Sequence, residues 1–472
     1  MMFPNPKITL LALAMAVAFP VAAQSNAEVL NELKALRDRI TELEKQLKEN
    51  QARPAAAPAA AAAPAAAPMG MTPEQAAELN RLTVKTEALE DSREANGFLG
   101  LKISGQMQAA YIYNQAQSLA GFQFLDSVAN YGYNYWNSYI GMAVIDFQKE
   151  MSDGTKWRLT LAPQRGVGSV IDGYSIVQEA SVSVPLTDLQ TRFIAGQIPD
   201  WSGYEYLPPT QNKLITHNLL FDFTLPTGYI GAGLDLASGK WTTKMMLAQM
   251  NQNANSSAAK GSVFAFRVDY ARGEYQGFGA AGVYGQAPNF VNGDPNGTGT
   301  PTNSNLGLIE VDGYFIRGDW TLQGQLSYGY QKAAAITADA NGNLQDASWY
   351  GLSTLAAYKF TPRFEGIGRF DYINNSRNGG GLLGYGADSG NGIGPDGTLN
   401  CVQGAPAVDP GCEKGASRYA LAVGLNYAFN ANTIFKAEYR YDWSNLPVFL
   451  NVGDNSYRKS NNVLGAAVVV SF

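Results

Sequence analysis

Apolar and polar residues alternate with a period of two through most of the chain beyond residue 100. The clearest case is residues 435–443, where five apolar positions alternate with four charged ones. The charged positions are Lys436, Glu438, Arg440 and Asp442. Alternation of this kind predicts a β-strand whose two faces meet unlike environments. The charged face of this strand requires an aqueous environment and the other face an apolar one, so the pattern indicates a strand that lies between water and lipid.

The same alternation predicts sixteen strands. They cover residues 101–113, 137–149, 156–163, 176–184, 190–197, 228–237, 240–249, 261–271, 277–286, 307–317, 319–331, 348–360, 363–374, 417–429, 432–443 and 462–472. Most have the length that crosses a bilayer at a tilt. The final strand ends on the aromatic residue Phe472.

The connections between these strands alternate between short and long. Membrane barrels place short turns on the periplasmic side and long loops outside. A closed antiparallel barrel also pairs every backbone group inside lipid. We therefore predict an all-β, transmembrane antiparallel barrel of about 16 strands over residues 97–472. Fourteen or eighteen strands are the alternatives, since residues 214–226 could contribute an extra strand pair.

The first residues of the chain have a different pattern. Residues 1–23 predict a secretory signal peptide, with Lys7 before an apolar run that is too short to span a bilayer. Residues 24–50 predict a coiled-coil helix. Its seam repeats at heptad spacing and consists of Val29, Leu33, Leu36, Ile40, Leu43 and Leu47. An isolated helix of this length is unstable in water, so we expect self-association, with packing on its own barrel as the alternative.

Two further segments precede the barrel. Residues 51–71 are rich in Ala and Pro and predict a semi-rigid linker. Residues 72–96 predict a second helix, because Thr72 can cap it and Pro73 suits its first position. No later apolar run is long enough for a helical membrane span. We therefore expect the barrel in a bacterial outer membrane and both helices in the periplasm.

Composition excludes several classes of function. The net charge of -6, without a dominant basic face, argues against nucleic-acid binding. A single histidine and two cysteines argue against a His/Cys metal site and against a catalytic Cys–His pair, and we expect no metal and no cofactor. Cys401 and Cys412 lie in a Gly- and Pro-rich stretch that predicts a loop disulfide. Two free thiols are the alternative.

A barrel of sixteen strands leaves room for an aqueous channel. The inward positions predict a charged lining. Its cations are Lys102, Arg158, Arg192, Lys244, Arg267, Arg369, Arg418, Lys436 and Arg440. Its carboxylates are Asp146, Glu179, Asp269, Glu310, Asp312, Glu365, Asp371, Glu438 and Asp442. The two signs balance, so the sequence does not give the sign of ion selectivity. The alternative is that most of these groups pair across neighbouring strands and stabilise the wall.

Residues 198–227 form the long loop that we expect to constrict the channel. Its Leu and Phe residues would not stand together in a solvated loop, so we expect it to fold against a wall. Its titratable members are Asp200, Glu205, Lys213, His217 and Asp222. Asp200 or Lys213 facing Arg158 and Arg192 across the pore would create a transverse electric field. A loop packed over a neighbouring subunit is the alternative.

The architecture resembles that of the trimeric outer-membrane porins of the DcaP-like kind. Three local stretches are similar to the β-barrel porin-2 (OmpL-like) family, and the whole chain resembles a family of exported β-proteobacterial proteins. The stretches are Ala195-Gly196-Gln197, Gly203-Tyr204-Glu205 and Pro226-Thr227-Gly228 with Gly231. The resemblance implies a homotrimer that lets ions and small hydrophilic solutes, anionic ones included, diffuse passively through the outer membrane.

Two other functions are compatible with the sequence. The barrel could anchor a coiled coil that tethers the envelope, although a tether needs neither long loops nor a charged lumen. A barrel enzyme could use His217 with Asp222 nearby. No nucleophile motif accompanies this histidine, so we do not expect an enzyme.

Overall fold

The computed structural model describes residues 78–88, 97, 100–124, 140–162, 176–226, 228–250, 261–271, 275–289, 302–377, 393–402 and 404–472. The chain divides into two units, Met1–Leu99 and Gly100–Phe472. In the first unit, residues 78–88 form helix α1, within the segment predicted as the second helix. The signal peptide, the linker and the coiled-coil seam lie outside the described residues. No helix in the described part of the chain is long and apolar enough to cross a membrane.

Among its described residues, the second unit consists of strands and one short helix, α2 (Leu219–Phe223). The strands are β1 (Leu101–Asn114), β2 (Leu119–Gln123), β3 (Ala143–Glu150), β4 (Lys156–Leu161), β5 (Val177–Pro185), β6 (Thr191–Pro199), β7 (Gly228–Ser238), β8 (Trp241–Met250), β9 (Val263–Ala271), β10 (Gln276–Asn289), β11 (Thr302–Arg317), β12 (Trp320–Gln331), β13 (Ala347–Thr361), β14 (Phe364–Arg377), β15 (Ser417–Asn430), β16 (Thr433–Ser444), β17 (Phe449–Asn451), β18 (Ser456–Arg458) and β19 (Ser460–Ser471).

Sixteen of the described strands close into one antiparallel barrel, which confirms the predicted fold. Each strand from β3 to β16 pairs with the next, and β19 joins β16 to β1. At the closure, Gln106 lies opposite Ser471 and Asn114 opposite Val463. Phe472 continues this seam, because its backbone N–H and C=O both bond to Gly105. Closure leaves no free sheet edge in the wall.

The second wall position differs from its prediction. The sequence analysis gave one strand over residues 137–149, whereas the structure begins β3 at Ala143 and adds β2 inside the predicted first loop. The strand β2 pairs with the upper half of β1, and β3 pairs with its lower half. Gly141 adopts a φ of 80° where the chain re-enters the wall. The two short strands therefore share one position, which a period-two pattern read along the chain could not reveal.

The outer face of the wall is apolar and exposed, as expected for a surface in lipid. Aromatic rings cluster at both ends of the strands. At the short-turn end, Trp320 packs against Tyr358 with 4.8 Å between ring centroids. At the long-loop end, Tyr419 stacks on Trp443 at 5.2 Å. Two such girdles mark the two interfaces of a bilayer in transmembrane barrels.

A lysine substitution on this outer face tests whether the face lies in lipid or in water. Val423, at the middle of β15, is 49% exposed, and Val452, in the turn between β17 and β18, is 42% exposed. We expect Val423→Lys to destabilise the barrel in lipid vesicles by about 2–4 kcal/mol, because its charge lies in the hydrocarbon layer. Val452→Lys should change stability by less than about 0.5 kcal/mol. Denaturant unfolding of both variants in vesicles measures the difference, and equal effects would argue against a membrane-embedded face.

Candidate functional site

The loop between β6 and β7 lies inside the barrel. We call residues 200–226 the lumen insert. Its hydrogen bonds reach strands on several sides of the wall, since Thr210 bonds to Gln106 of β1 and Gly203 bonds to Glu310 of β11. Lys213 reaches Glu365 of β14 at 2.6 Å. A segment bonded to strands this far apart around a closed barrel must occupy its lumen.

Charged wall residues bind the backbone of the insert. The ammonium group of Lys436 donates to the carbonyl oxygens of Pro209 and Asn212, at 2.8 and 2.5 Å. The carboxylate of Glu438 accepts from the backbone N–H groups of Ile215 and Thr216, at 2.6 and 2.9 Å. Buried peptide groups need such partners, and charged partners give the stronger bonds. The wall therefore satisfies the irregular backbone of the insert.

Arg369 is the most connected of these wall residues. Its guanidinium bonds to the carboxylates of Glu205 and Asp371, at 2.9 and 3.0 Å. It also donates to the carbonyl oxygens of Thr216 and His217, at 2.7 and 2.8 Å. The side chain is fully buried. Five donors in a planar fork allow one arginine to join two parts of the insert, Glu205 and residues 216–217, to the wall.

Apolar residues of the insert pack against the inner wall. The helix α2 presents buried Leu219 and Phe223 to Ile373 and Ala420. The Asn218 side chain caps this helix by accepting from the Phe221 N–H at 2.8 Å. Leu207, Leu214, Ile215 and Leu225 belong to four other buried clusters of the described residues. The apolar run that predicted packing against a wall thus fills the lumen.

The structure decides between the alternatives for residues 214–226. The extra strand pair is absent from this described stretch, because a helix and turns occupy it, and the prediction of sixteen strands holds. Asp200 and Lys213 bond to groups other than Arg158 and Arg192, although Asp200 lines the same cavity as Arg158. Asp200 accepts from the Tyr229 hydroxyl at 2.6 Å, and Lys213 pairs with Glu365 as described above.

The insert covers many of the residues that the alternation predicts as pore lining. Arg418 pairs with Asp442 at 2.8 Å, and its guanidinium lies 5.0 Å from the ring centroids of Phe223 and Phe449. The covered group is almost wholly buried. It consists of Arg369, Asp371, Arg418, Lys436, Glu438, Arg440 and Asp442. These side chains lie inward, as the alternation indicates, but they hold the insert rather than face water.

A cavity of about 860 Å³ remains on the other side of the insert. Strands β3, β4, β5, β8, β9 and β11 contribute charged residues to its lining. Arg158 projects here with 43% of its side chain exposed, bonded to Asp146 at 2.9 Å and Glu179 at 3.1 Å. Lys244 is 39% exposed and lies 3.9 Å from Asp235. These exposed groups are the ones that a solute in the cavity would meet.

A second charged cluster borders the cavity at Arg267. Its guanidinium bonds to Asp269 and Asp312 at 2.7 Å each and to Glu310 at 3.4 Å. Gly279 of β10 lies in register between these two aspartates. A Cβ atom there would collide with Asp269 and Arg267. The missing side chain gives the cluster room to form across three strands.

The remaining predicted wall residues lie away from this cavity. Lys102 is exposed near the beginning of β1. Arg192 donates to the Ser183 hydroxyl and to the Gly154 carbonyl oxygen, both at 2.7 Å. Asp235 is an inner residue that the sequence analysis missed. It lies between the outward-facing Leu234 and Leu236, so the same alternation could have found it.

The disulfide and the outer loops lie above the long-loop end of the strands. Cys401 and Cys412 are bonded to each other. The loop they close contacts the loop after β12, since Ala338 donates to the Ala405 carbonyl oxygen at 2.9 Å. Val448 and Phe449 pack on Ala116 and Ala416. These loops form a structured cover over part of the barrel mouth.

Burial dominates the titration of the carboxyl groups in the insert. It raises the pKa of Asp200 to about 6, that of Glu205 to about 7 and that of Asp222 to about 8. The nearby Arg369 opposes this effect at Glu205, and Arg440 opposes it at Asp222. Each carboxyl is costly to ionise inside the protein because water cannot solvate its charge.

His217 has a structural environment. Its Nε2 atom lies 2.9 Å from the Tyr206 carbonyl oxygen and 3.1 Å from the Asn212 amide, and its ring stacks on Phe221 at 4.2 Å. Burial lowers its pKa to about 3. A neutral ring held by a carbonyl and an amide is poorly suited to be a general base near neutral pH. The contacts give no support to the enzyme hypothesis.

The insert should loosen as pH rises. A buried carboxyl with a raised pKa stabilises the packed state at low pH, and this contribution is lost as pH rises towards the folded pKa. For Asp222 the loss extends from its ordinary range to about pH 8. Hydrogen exchange of insert amides, corrected for intrinsic rates, should therefore show more opening at pH 8 than at pH 5, by up to about tenfold per pH unit.

Asp222→Asn should weaken this pH dependence, because the amide cannot ionise. Asp409→Asn, in an outer loop, is the matched control and should leave the dependence unchanged. The expectation for Asp222 is wrong if its variant opens with pH as steeply as the parent protein.

Several solved structures of outer-membrane proteins are similar to this chain at low sequence identity. In-vitro folded OmpT, an outer membrane protein of Vibrio cholerae, is 12% identical, with 79% of this chain and 97% of that chain covered and a TM-score of 0.48. An anion-selective porin from Comamonas acidovorans is 9% identical, with 79% of this chain and 99% of that chain covered and a TM-score of 0.48. The outer membrane channel DcaP of Acinetobacter baumannii is 10% identical, with 79% of this chain and 97% of that chain covered and a TM-score of 0.47.

No curated protein matches the chain by sequence. A family model does match, over residues 6–472, and its description is "Protein of unknown function (DUF3138)". Because the match covers nearly the whole chain, this protein belongs to the DUF3138 family.

Proposed function

We propose that this protein is an outer-membrane porin for passive diffusion of small hydrophilic solutes and ions. The observation that carries the proposal is the open cavity, lined by exposed charged groups, inside a closed transmembrane barrel. Arg158, Lys244 and Asp269 are each more than one-third exposed there, although they lie on the inner face of the wall. Charged groups with this exposure suit weak, repeated contacts with a passing solute.

The lumen insert would set the width of the channel. It fills the side of the lumen bounded by β13, β14, β15 and β16, where wall charges hold its backbone. Solutes would then pass along β3, β4, β5, β8 and β9. On this proposal the pore-lining role belongs to Arg158, Lys244, Arg267, Asp269 and Asp312, and the covered charges of β14, β15 and β16 have a structural role.

Single-channel recording in planar bilayers tests this function. We expect the purified protein to conduct in salt solution. Replacing residues 205–223 with a short Gly–Ser linker should raise the conductance several-fold, since it removes the mass that fills the lumen. The wall charges would then face water, where they are readily solvated.

A disulfide variant provides the control for the insert replacement. Cys401→Ser combined with Cys412→Ser should leave the conductance nearly intact, because the loop covers only part of the mouth. Absence of conductance from a folded barrel, both with and without the insert, would contradict the porin proposal. A large loss in the disulfide variant would assign the outer loop a part in shaping the pore.

We further propose that the protein is a homotrimer with its N-terminal helices in the periplasm. The support is the heptad seam of residues 24–50, since an isolated helix of that length needs a partner. Deleting residues 27–49 should leave the barrel folded and make the oligomer dissociate more easily in detergent. Light scattering of the detergent-solubilised protein would measure this, and an unchanged oligomer would show that the barrel wall alone sets assembly.

A further inference from the structure

The charges that border the cavity are unequal in number. Three cations lie there, and each is bonded to or near carboxylates. Arg158 has two, Asp146 and Glu179, whereas Lys244 has Asp235. Arg267 has the three carboxylates Asp269, Glu310 and Asp312. Among the described residues of these pairs, carboxylates therefore exceed cations by three.

The Arg267 cluster holds the largest local excess. Even if two of its carboxyl groups share one proton, one negative charge has no counter-charge in the cluster. Glu310 is almost fully buried, and its Oε2 atom has no hydrogen-bond partner among the described residues. Asp269 lies beside it with 36% of its side chain exposed. The cluster therefore combines an unsatisfied buried oxygen with a carboxylate that solutes can reach.

The insert side of the lumen shows no such excess among its ion-paired and bonded charges. There, Lys213, Arg369, Arg418, Lys436 and Arg440 face the same number of carboxylates. The carboxylates are Glu205, Glu365, Asp371, Glu438 and Asp442. The even balance of charges in the sequence therefore hides a separation in space, with negative charge left over on the cavity side.

We propose that the channel prefers cations, and that the Arg267 cluster with Asp269 and Asp312 determines this preference. The inference rests on the proposed porin function and names its solute class. A spherical cavity of 860 Å³ would be roughly 12 Å across, so a solute at its centre lies about 6 Å from the wall, within the Debye length of about 8 Å at physiological ionic strength. The exposed Arg158 and Lys244 do not reverse the sign, since each has at least one carboxylate beside it.

The reversal potential in a KCl gradient across a planar bilayer tests the preference. A lumen potential of about one kT favours K⁺ over Cl⁻ by roughly sevenfold, and we expect a permeability ratio of several-fold in that direction. Asp269→Asn combined with Asp312→Asn should bring the ratio near one. Lys244→Gln should raise it above the parent value, because the change removes a cation and leaves its carboxylate.

A matched pair of four-carbon solutes extends the test to organic ions. In liposome swelling, 1,4-diaminobutane should enter faster than succinate, and the Asp269/Asp312 variant should lose that difference. Glu78→Gln, in helix α1, is the control, because it changes the charge count without altering a residue of the barrel wall or of the insert. It should leave both measurements unchanged.

The outcomes distinguish this inference from the porin proposal. Conductance with a preference for Cl⁻, or faster entry of succinate, would overturn the cation preference and leave the porin function standing. A cation preference that both lumen variants leave unchanged would refute the assignment to this cluster. If the double variant fails to fold, Lys244→Gln still tests the proposal. A K⁺/Cl⁻ permeability ratio that does not rise in this variant would contradict it. No conductance at all would contradict the porin function itself.

Discussion

The insert depends on one physical constraint, which is that its irregular backbone must find hydrogen-bond partners in a packed lumen. A strand in the wall pairs with its neighbours, but residues 200–226 have no ladder. Wall charges supply the partners instead. Arg369, Lys436 and Glu438 bind peptide groups of the insert directly. Without them, buried N–H and C=O groups would be left unpaired at a cost of about 1–3 kcal/mol each.

This constraint explains why so many charges can lie buried in a membrane protein. A buried ion pair is seldom stabilising by itself, because removing both ions from water costs more than their attraction returns. Arg369 and Arg440 have additional partners in the carbonyl oxygens of Thr216 and His217. The carbonyl oxygens of the insert thus replace water around the charged groups, and the charged groups give those carbonyl oxygens their hydrogen-bond partners. Neutral residues at these wall positions would leave the peptide groups of the insert without partners, whereas water could solvate the wall charges if the insert were absent.

The sequence predicts the wall far better than it predicts the lumen. Period-two alternation records which face of each strand meets lipid, so the sixteen strands follow from residues such as those of 435–443. The insert is different because the wall binds its backbone. Every residue has the same peptide carbonyl group, so the sequence does not show which carbonyl groups the wall will bind. Only the apolar run around Leu219 and Phe223 indicated a loop packed against a wall. Its helical form was not predicted, because the helix consists of only five residues with a single cap at Asn218.

The division of the lumen changes what an inward charge means. Lys436 and Lys244 have the same place in the alternation, and each faces the inside of the barrel. The first is buried against carbonyl oxygens of the insert, whereas the second has more than a third of its side chain in contact with solvent. Position on the strand therefore decides only that a charge points inward, and the path of the insert decides whether it meets peptide or water. The charge balance summed over the whole wall is for that reason a poor guide to ion selectivity. The charges bound to the insert compensate one another, and a solute responds to the charges that border the cavity.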